Sequence, residues 1–560
     1  MNDELISLNV GGIKFLTSRQ TLNSIGDTFF TSLLSGRIPS FKDESGAIFI
    51  DRDPNLFAVI LNYLRTRQLI VGDHSNIDAI KHEAEFYGIS PLVKRLQVYD
   101  ELFNKQTCGG TVLFQGVLNK REETQSNAAE SDEYRVVDIA AQHNAVCIAY
   151  CNEVVCFKIK DSIGWQEVFK SERTEHNIKQ IAFCYNYGSR LMIGLAFENN
   201  VISLWSLENS GVKREIGSFV LNTKFIDAIF FIGHQLVALG CGEGRVGIWQ
   251  STNQHWLVQD LMSGQSITAY DKATNNFLLL GTRRGSIYLI DMQKFPLRMK
   301  DNDLLINELY EDPDHEEITA ISCYLTRTPK TNGNWIEIAY GTYGGTVRVL
   351  VQHPETVGHG PQLFQTFKVH LHPITNVMLS EKYLISVCSQ MHVRTWMLTR
   401  FRGRISTQPG STPHASFKIF KLEKEFVENE STSKECSKES VESFYRRDNI
   451  GPFGDQDDGD KQVFIEKLHS ETNQIKVLMA SNGETVCSLR SADDSLITAY
   501  CILECEAVAM VNRLRRYILT GHSNGQVQIW DLTTAFDFMA KSKDQCPKAL
   551  RSEILKELFL

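Results

Sequence analysis

Residues Gly242-Glu243-Gly244-Arg245-Val246-Gly247 spell Gly-x-Gly-x-x-Gly, the pattern with which a strand-to-helix turn cradles a pyrophosphate on backbone N–H groups. The next residues remove that chemistry. Ile248 and Trp249 continue a strand, no helix opens after the last glycine, and nucleotide binding is not expected. His370-Leu371-His372 and the pair Cys501 and Cys505 have the right atoms for a metal, but neither has the remaining ligands of a site nearby. The carboxylate pairs Asp493-Asp494 and Asp457-Asp458 lie in loop-like segments, where solvation is the default state. No Gly-x-Ser-x-Gly, His-Glu-x-x-His or Walker pattern occurs. Arg400, Arg402 and Arg404, with Phe401 between the first two, form a small basic cluster. It serves either as a charged, loop-anchoring surface or as a site that captures acidic peptide groups through charge-assisted hydrogen bonds. These readings together predict no catalytic residue, no cofactor and no metal, and leave binding as the class of function.

Bulk properties point the same way. A chain of 560 residues exceeds the size at which one core stops growing, so at least two domains are expected. A net charge of −9 gives no basic footprint for nucleic acid or an acidic membrane surface. No apolar run is long enough to cross a bilayer, and the acidic opening Met1-Asn2-Asp3-Glu4 is unlike a signal peptide, so a cytoplasmic protein is expected. The 13 cysteines are scattered through apolar strand positions such as Cys147, Cys151, Cys156, Cys388 and Cys487, which reads as free, buried thiols.

The elements that would carry any site repeat along the chain. Gly521-His522-Ser523-Asn524-Gly525 is followed by Val527-Gln528-Ile529-Trp530-Asp531, a turn and then an alternating strand that ends in Trp-Asp. Seven weaker copies lie upstream, each a two-residue turn before a strand with a bulky apolar residue near its end. They are Asn152-Glu153 with Phe157, Asn199-Asn200 with Trp205, Glu243-Gly244 with Trp249, Arg284-Gly285 with Ile290, Gly344-Gly345 with Leu350, Gln390-Met391 with Trp396, and Asn482-Gly483 with Leu489. Most of these turns contain Gly or Asn, which reach positive φ at little cost. A self-similar period of roughly 40 to 45 residues made of short strands is the mark of a β-propeller. Seven or eight blades fit the spacing.

The first hundred residues have a different pattern. Leu5, Ile6, Leu8 and Val10 form a strand, Gly11-Gly12 is a hairpin turn, and Ile13, Phe15 and Leu16 begin the return. Phe29, Phe30, Leu33 and Leu34 mark a helix that ends near Gly36. Asp53 caps a second helix with Pro54 at its first position, and a third spans roughly Ile77 to Tyr87 before Gly88.

The motifs Leu8-Asn9-Val10-Gly11-Gly12, Phe49-Ile50-Asp51-Arg52-Asp53-Pro54, Leu61-Asn62-Tyr63-Leu64-Arg65 and Ala84-Glu85-Phe86-Tyr87-Gly88-Ile89 resemble the BTB/POZ domain of the potassium channel tetramerisation type. Further motifs stand in Leu379 to Cys388, His392 to Trp396, Thr399 to Pro413, Asp448 to Gly454 and Trp530 to Ala535. With them the chain resembles the subfamily that joins this BTB domain to WD repeats. The resemblance implies a mixed fold: a small α/β BTB/POZ domain at 1–105, an all-β WD-repeat propeller at 106–535, and a tail at 536–560. It also implies a homo-oligomer of four or five chains through the BTB domain. Zinc clamping of the ring is not expected, because no Cys precedes Cys108. Members are described as scaffolds, one for a pacemaker-type channel and one for an endocytic Src-homology-three adaptor. Pro409-Gly410-Ser411-Thr412-Pro413-His414 lacks the arginine of the adaptor-binding motif, so that partner is not carried over. The alternative function is a substrate receptor for a cullin-three ubiquitin ligase, as for many soluble relatives of this BTB domain.

Within the propeller span, Asn119 to Glu133 is polar and aperiodic and reads as a loop, while Thr111 to Leu118 is a strand expected to complete the last blade. Glu423 to Asp460, rich in Ser, Glu, Lys and Asp, reads as an insertion, either a solvated loop or a docking and phosphorylation segment.

Overall fold

A computed structural model describes residues 5–26, 28–66, 77–89, 91–93, 96, 113–118, 134–160, 164–186, 190–208, 212–251, 254–261, 264–273, 277–292, 306–326, 335–352, 360–401, 404–406, 414–419, 452–453, 462–467, 472–506 and 514–541. The chain divides into two compact units, one holding Met1–Gln115 and one holding Gly116–Lys543. The boundary expected at 105 and 106 and the polar loop at 119–133 lie outside the described residues. No helix among the described residues is long and apolar enough to cross a membrane.

The amino-terminal unit is built from strands β1 (Leu5–Val10) and β2 (Ile13–Ser18), helices α1 (Arg19–Leu22) and α2 (Phe29–Leu34), strands β3 (Phe41–Lys42) and β4 (Ile48–Ile50), and helices α3 (Pro54–Thr66) and α4 (Ile77–Phe86). The sheet order is β2-β1-β4-β3, with β1 and β4 parallel. Local chemistry sets the helix starts. Thr28 and Thr31 form a reciprocal capping box on α2, and the Asp53 carboxylate accepts from Asn55 N at 2.8 Å in front of Pro54, as the sequence predicts. Alternation along β1 sends Leu8 and Val10 inward onto Phe30, Phe57, Ile60 and Tyr87, with the Phe30 and Tyr87 rings stacked at 4.9 Å.

The second unit is a β-propeller. Its described residues form eight four-stranded antiparallel sheets, numbered here one to eight: 136–170, 178–220, 228–260, 267–311, 318–368, 374–418, 452–490 and 497–531. Sheet eight takes its fourth strand from Leu113–Leu118, upstream of sheet one, as the sequence leads one to expect. Of the eight turns read from the sequence, seven join the second and third strands of their sheets, and Asn482-Gly483 joins the third and fourth strands of sheet seven. At seven of them the second residue has positive φ: Asn200, Gly244, Gly285, Gly345, Met391, Gly483 and Gly525. The bulky residue that follows each turn is buried in every sheet. Trp205 packs between sheets one and two, Trp249 between two and three, and Trp396 between five and six.

Hydrogen bonds reinforce these apolar junctions near the inner strands. Asp138 of sheet one accepts from Ile181 N of sheet two at 3.1 Å, and Asp271 of sheet four accepts from Cys323 N of sheet five at 2.8 Å. Ser322 of sheet five accepts from Leu379 N of sheet six at 3.0 Å, and Thr498 of sheet eight donates to Val136 O of sheet one at 2.7 Å. Each such bond satisfies a backbone group that would otherwise be stranded at a sheet edge.

Two readings change. Pro452–Phe453, inside the segment expected to be an insertion, is the first strand of sheet seven, paired to Val463–Lys467. The rest of 423–460, including Asp457-Asp458, lies outside the described residues. Residue 535 does not end the ordered unit either, because helix α5 (Leu532–Lys541) runs through it. Asp531, the last residue of the Trp-Asp strand, caps α5 by accepting from Thr534 N at 3.3 Å and Oγ1 at 3.1 Å, and it pairs with Arg515 at 3.0 Å.

Candidate interaction surfaces

The outward face of the amino-terminal sheet is apolar. Because side chains alternate, Leu5 of β1, Leu16 of β2, Phe49 of β4 and Phe41 of β3 share the side opposite the core, through the register pairs Ser7 with Leu16, Asn9 with Phe49, and Phe41 with Phe49. All four are exposed, Phe41 by 77% and Leu5 by 67%. Polar groups on the same side are tied down. Asn9 Nδ2 donates to Asp43 at 2.8 Å and Lys14 Nζ to Ser45 at 2.7 Å, while hydrogen bonds from Ser45 and Asn9 hold the Asp43 carboxyl at a pKa of about 2. A contiguous apolar patch of this kind is what a subunit interface needs.

On the propeller, the connections leaving sheets one to five and sheet seven each meet the second-to-third-strand turn of the next sheet, as where Tyr343 N donates to Glu317 O at 2.9 Å and Ser523 N to Leu496 O at 2.9 Å, and these meetings make one face, here the turn face. Large apolar side chains recur on it as exposed groups: Tyr134, Phe225, Tyr343, Leu371 and Leu496. The segments that present them are held by buried polar relays. In sheet eight, Trp530 Nε1 donates to Thr520 Oγ1 at 3.0 Å, and that hydroxyl meets His522 Nε2 at 2.9 Å. On the other side of the ring, His522 Nδ1 lies 2.8 Å from Ser495 Oγ, which donates to the Asp493 carboxylate at 2.5 Å. Burial lowers the imidazole pKa to about 4, so the ring is neutral at pH 7. With a neutral ring, the Ser495–Asp493 bond gives the relay one consistent direction. Ser495 spends its proton on Asp493, so it accepts from Nδ1–H, and Nε2 accepts from Thr520. Asp493, read from sequence as a solvated loop carboxylate, is exposed in a turn as expected and also anchors this relay. Partial desolvation pushes its pKa up, but donors on Ser491, Ser495 and Asn524 outweigh this and hold it at about 2.

Between sheets four and five, Arg348 is buried and ion-paired to both Asp312 and Asp314, and Tyr340 donates to Asp312 at 2.8 Å. Sequence reasoning missed this cluster, as it missed the apolar members of the turn face. In the connection from sheet five to sheet six, His370 is buried with Nε2 2.7 Å from Ser386 Oγ, and burial, reinforced by Arg394 and His392, lowers its pKa to about 4, whereas His372 is exposed. The two histidines of the His-x-His motif thus occupy different environments. Among the described residues no group of three or more His, Cys, Asp or Glu is placed to hold a metal ion. Ten described cysteines are free, and most are buried.

The glycine pattern that mimics a nucleotide motif has a packing origin. Gly244 turns the chain at φ +66°, and a Cβ on Gly247 would collide with the Trp256 ring. Of the basic cluster, Arg400 and Arg404 fall on the two strands of a separate hairpin, Thr399–Phe401 with Arg404–Ser406, inserted before the fourth strand of sheet six. Arg402 lies outside the described residues.

Comparison with known proteins agrees with both units. Residues 6–96 match the BTB/POZ domain model, and residues 135–559 match the SHKBP1/KCTD3 C-terminal beta-propeller model. The chain belongs to the SHKBP1/KCTD3 family. It is 48% identical to human BTB/POZ domain-containing protein KCTD3, over 97% of this chain and 69% of that protein, and 46% identical to rat SH3KBP1-binding protein 1, over 96% and 81%. Human KCTD17 matches over 90 residues only, at 44% identity. The family match supports the sequence-based expectation of a BTB domain followed by a β-propeller.

Proposed function

We propose that this protein is a non-catalytic, cytosolic, oligomeric adaptor. Its BTB domain associates with copies of itself, and its propeller carries a protein partner, with ion-channel or receptor-trafficking components as the class implied by the family. The observation that supports this most directly is the exposed apolar outer face of the β2-β1-β4-β3 sheet, set apart from a core that is already complete. Repeating one propeller around such an assembly raises avidity by about 10² to 10⁴ where the sites engage together.

Light scattering on the full chain in chelator tests the reading. We expect four or five chains for the wild type and a smaller, still folded species for the double variant Leu16→Glu with Phe49→Glu. A wild-type monomer at all concentrations refutes it. The relative's name speaks of SH3KBP1, but Pro409 to His414 lacks the arginine of that motif, so that partner is not proposed. The Thr399–Ser406 hairpin is the first place to perturb partner binding: replacing Arg400, Arg402 and Arg404 by Glu is expected to weaken capture of an acidic partner without changing oligomer size.

A further inference from the structure

The turn face is not uniform. Where sheets four, five and six meet, two neighbouring junctions present two of its three most exposed apolar groups, Leu371 at 94% and Tyr343 at 56%. They are brought together by Gly345, which stands just beyond Tyr343 in its turn at φ +82°. A Cβ at Gly345 would collide with the carbonyls of His370 and His372 on either side of Leu371, so only glycine lets the two segments close to this distance.

The ground beneath this pair is acidic. The connection from sheet four to sheet five reads Asp312-Pro313-Asp314-His315-Glu316-Glu317. Arg348 takes up Asp312 and Asp314, and Arg283 faces Glu317 at 3.7 Å. Among the described residues Glu316 has no such cation: its carboxylate lies against Gly344, beside Tyr343, and its Oε2 is buried without a hydrogen-bond partner. A carboxylate with one oxygen buried and unpaired and no cation beside it is costly, and, because Glu316 is only half-buried, an ammonium or guanidinium approaching its accessible part offsets that deficit. The same few residues therefore supply an unpaired anion and, at its edge, two exposed apolar side chains.

We propose that this junction docks a protein segment in which an aliphatic or aromatic side chain stands next to a lysine or arginine, the apolar group lying on Tyr343 and Leu371 and the cation on Glu316. The assignment rests on the adaptor reading of the propeller and narrows it to a place and a partner chemistry. Charge complementarity selects a basic segment over an acidic one, because like charge against Glu316 and Glu317 is repulsive at short range.

Three fluorescein-labelled ten-residue peptides test it against the full-length protein: leucine alternating with arginine, with glutamine and with glutamate, read by polarisation at fixed ionic strength. The arginine peptide is expected to bind at least tenfold tighter than the glutamate peptide. Its affinity is expected to fall about tenfold in Glu316→Gln and in Leu371→Ser, and to be unchanged in Glu167→Gln, an exposed carboxylate on the outer strand of sheet one that controls for the overall negative charge. Equal binding of the three peptides, no binding of any, or equal loss in Glu167→Gln and Glu316→Gln overturns the assignment. Thermal midpoints equal to the wild type identify variants that remain folded, and Tyr343→Ser replaces Leu371→Ser if that variant does not. A flat response here leaves the adaptor reading intact, since that one is decided by oligomer size.

Discussion

Acid should loosen the propeller through His522, and by a calculable amount. The ring is buried, neutral and locked as the Nδ1–H tautomer between Thr520 and the Ser495–Asp493 pair. Its folded pKa of about 4, caused first by burial, lies below the ordinary histidine value of 6.5. Between these two values the unfolded chain binds a proton that the folded one refuses. The contribution of this site is therefore fully present above about pH 6.5 and is lost as pH falls towards 4. Integrating the linkage relation gives a loss of about 2 kcal/mol between pH 7 and pH 5. His370 acts in the same direction. Asp138, raised to about 6 chiefly by burial, acts in the opposite one, since its folded form takes up a proton first as pH falls. Comparing wild type with His522→Gln cancels both. Urea unfolding followed by tryptophan fluorescence at pH 7 and pH 5 should show the wild type losing about 2 kcal/mol more than the variant, whatever the variant costs at pH 7. If the two proteins lose stability in parallel, His522 is not neutral in the folded state and the relay runs the other way.

Two further perturbations probe the same unit. Trp530→Ala removes a fully buried indole and one of the two contacts of the Thr520 hydroxyl, so it should cost roughly 3 to 5 kcal/mol and lower the thermal midpoint measurably. Arg348→Ala leaves Asp312 buried without its cation and should cost about 3 to 5 kcal/mol by denaturant titration, with Arg348→Ala plus Asp312→Ala recovering part of the loss.

The parts of the fold that were legible in the sequence are those enforced locally. A turn that needs positive φ selects Gly or Asn, and a helix that starts at Pro54 wants Asp53 before it, so both leave a mark within a few residues. Sheet seven was harder to see: its first strand is only Pro452–Phe453, and its bulky position is Leu489 instead of a tryptophan. The least legible features join residues far apart in the chain. Arg348 and Asp312 are separated by 36 positions, and Leu371 comes from a connection that carries no periodicity. Nothing in the local pattern distinguishes Arg348 from a solvated strand arginine, because its burial is decided by the neighbouring sheet.

The strand Leu113–Leu118 has a consequence for the order in which this molecule is made. It emerges from the ribosome early, yet the sheet that receives it ends at Asp531. At roughly 5 to 20 residues per second, about 20 to 80 seconds separate the two events. Throughout that interval the first sheet has no neighbour on one side, and an unpaired strand waits beside it. Sheets one to seven can stack as they appear, but the circle becomes a circle only when translation is nearly over. The nascent propeller is thus exposed longest at its own beginning, and any factor that shields unpaired strand edges has its longest task there.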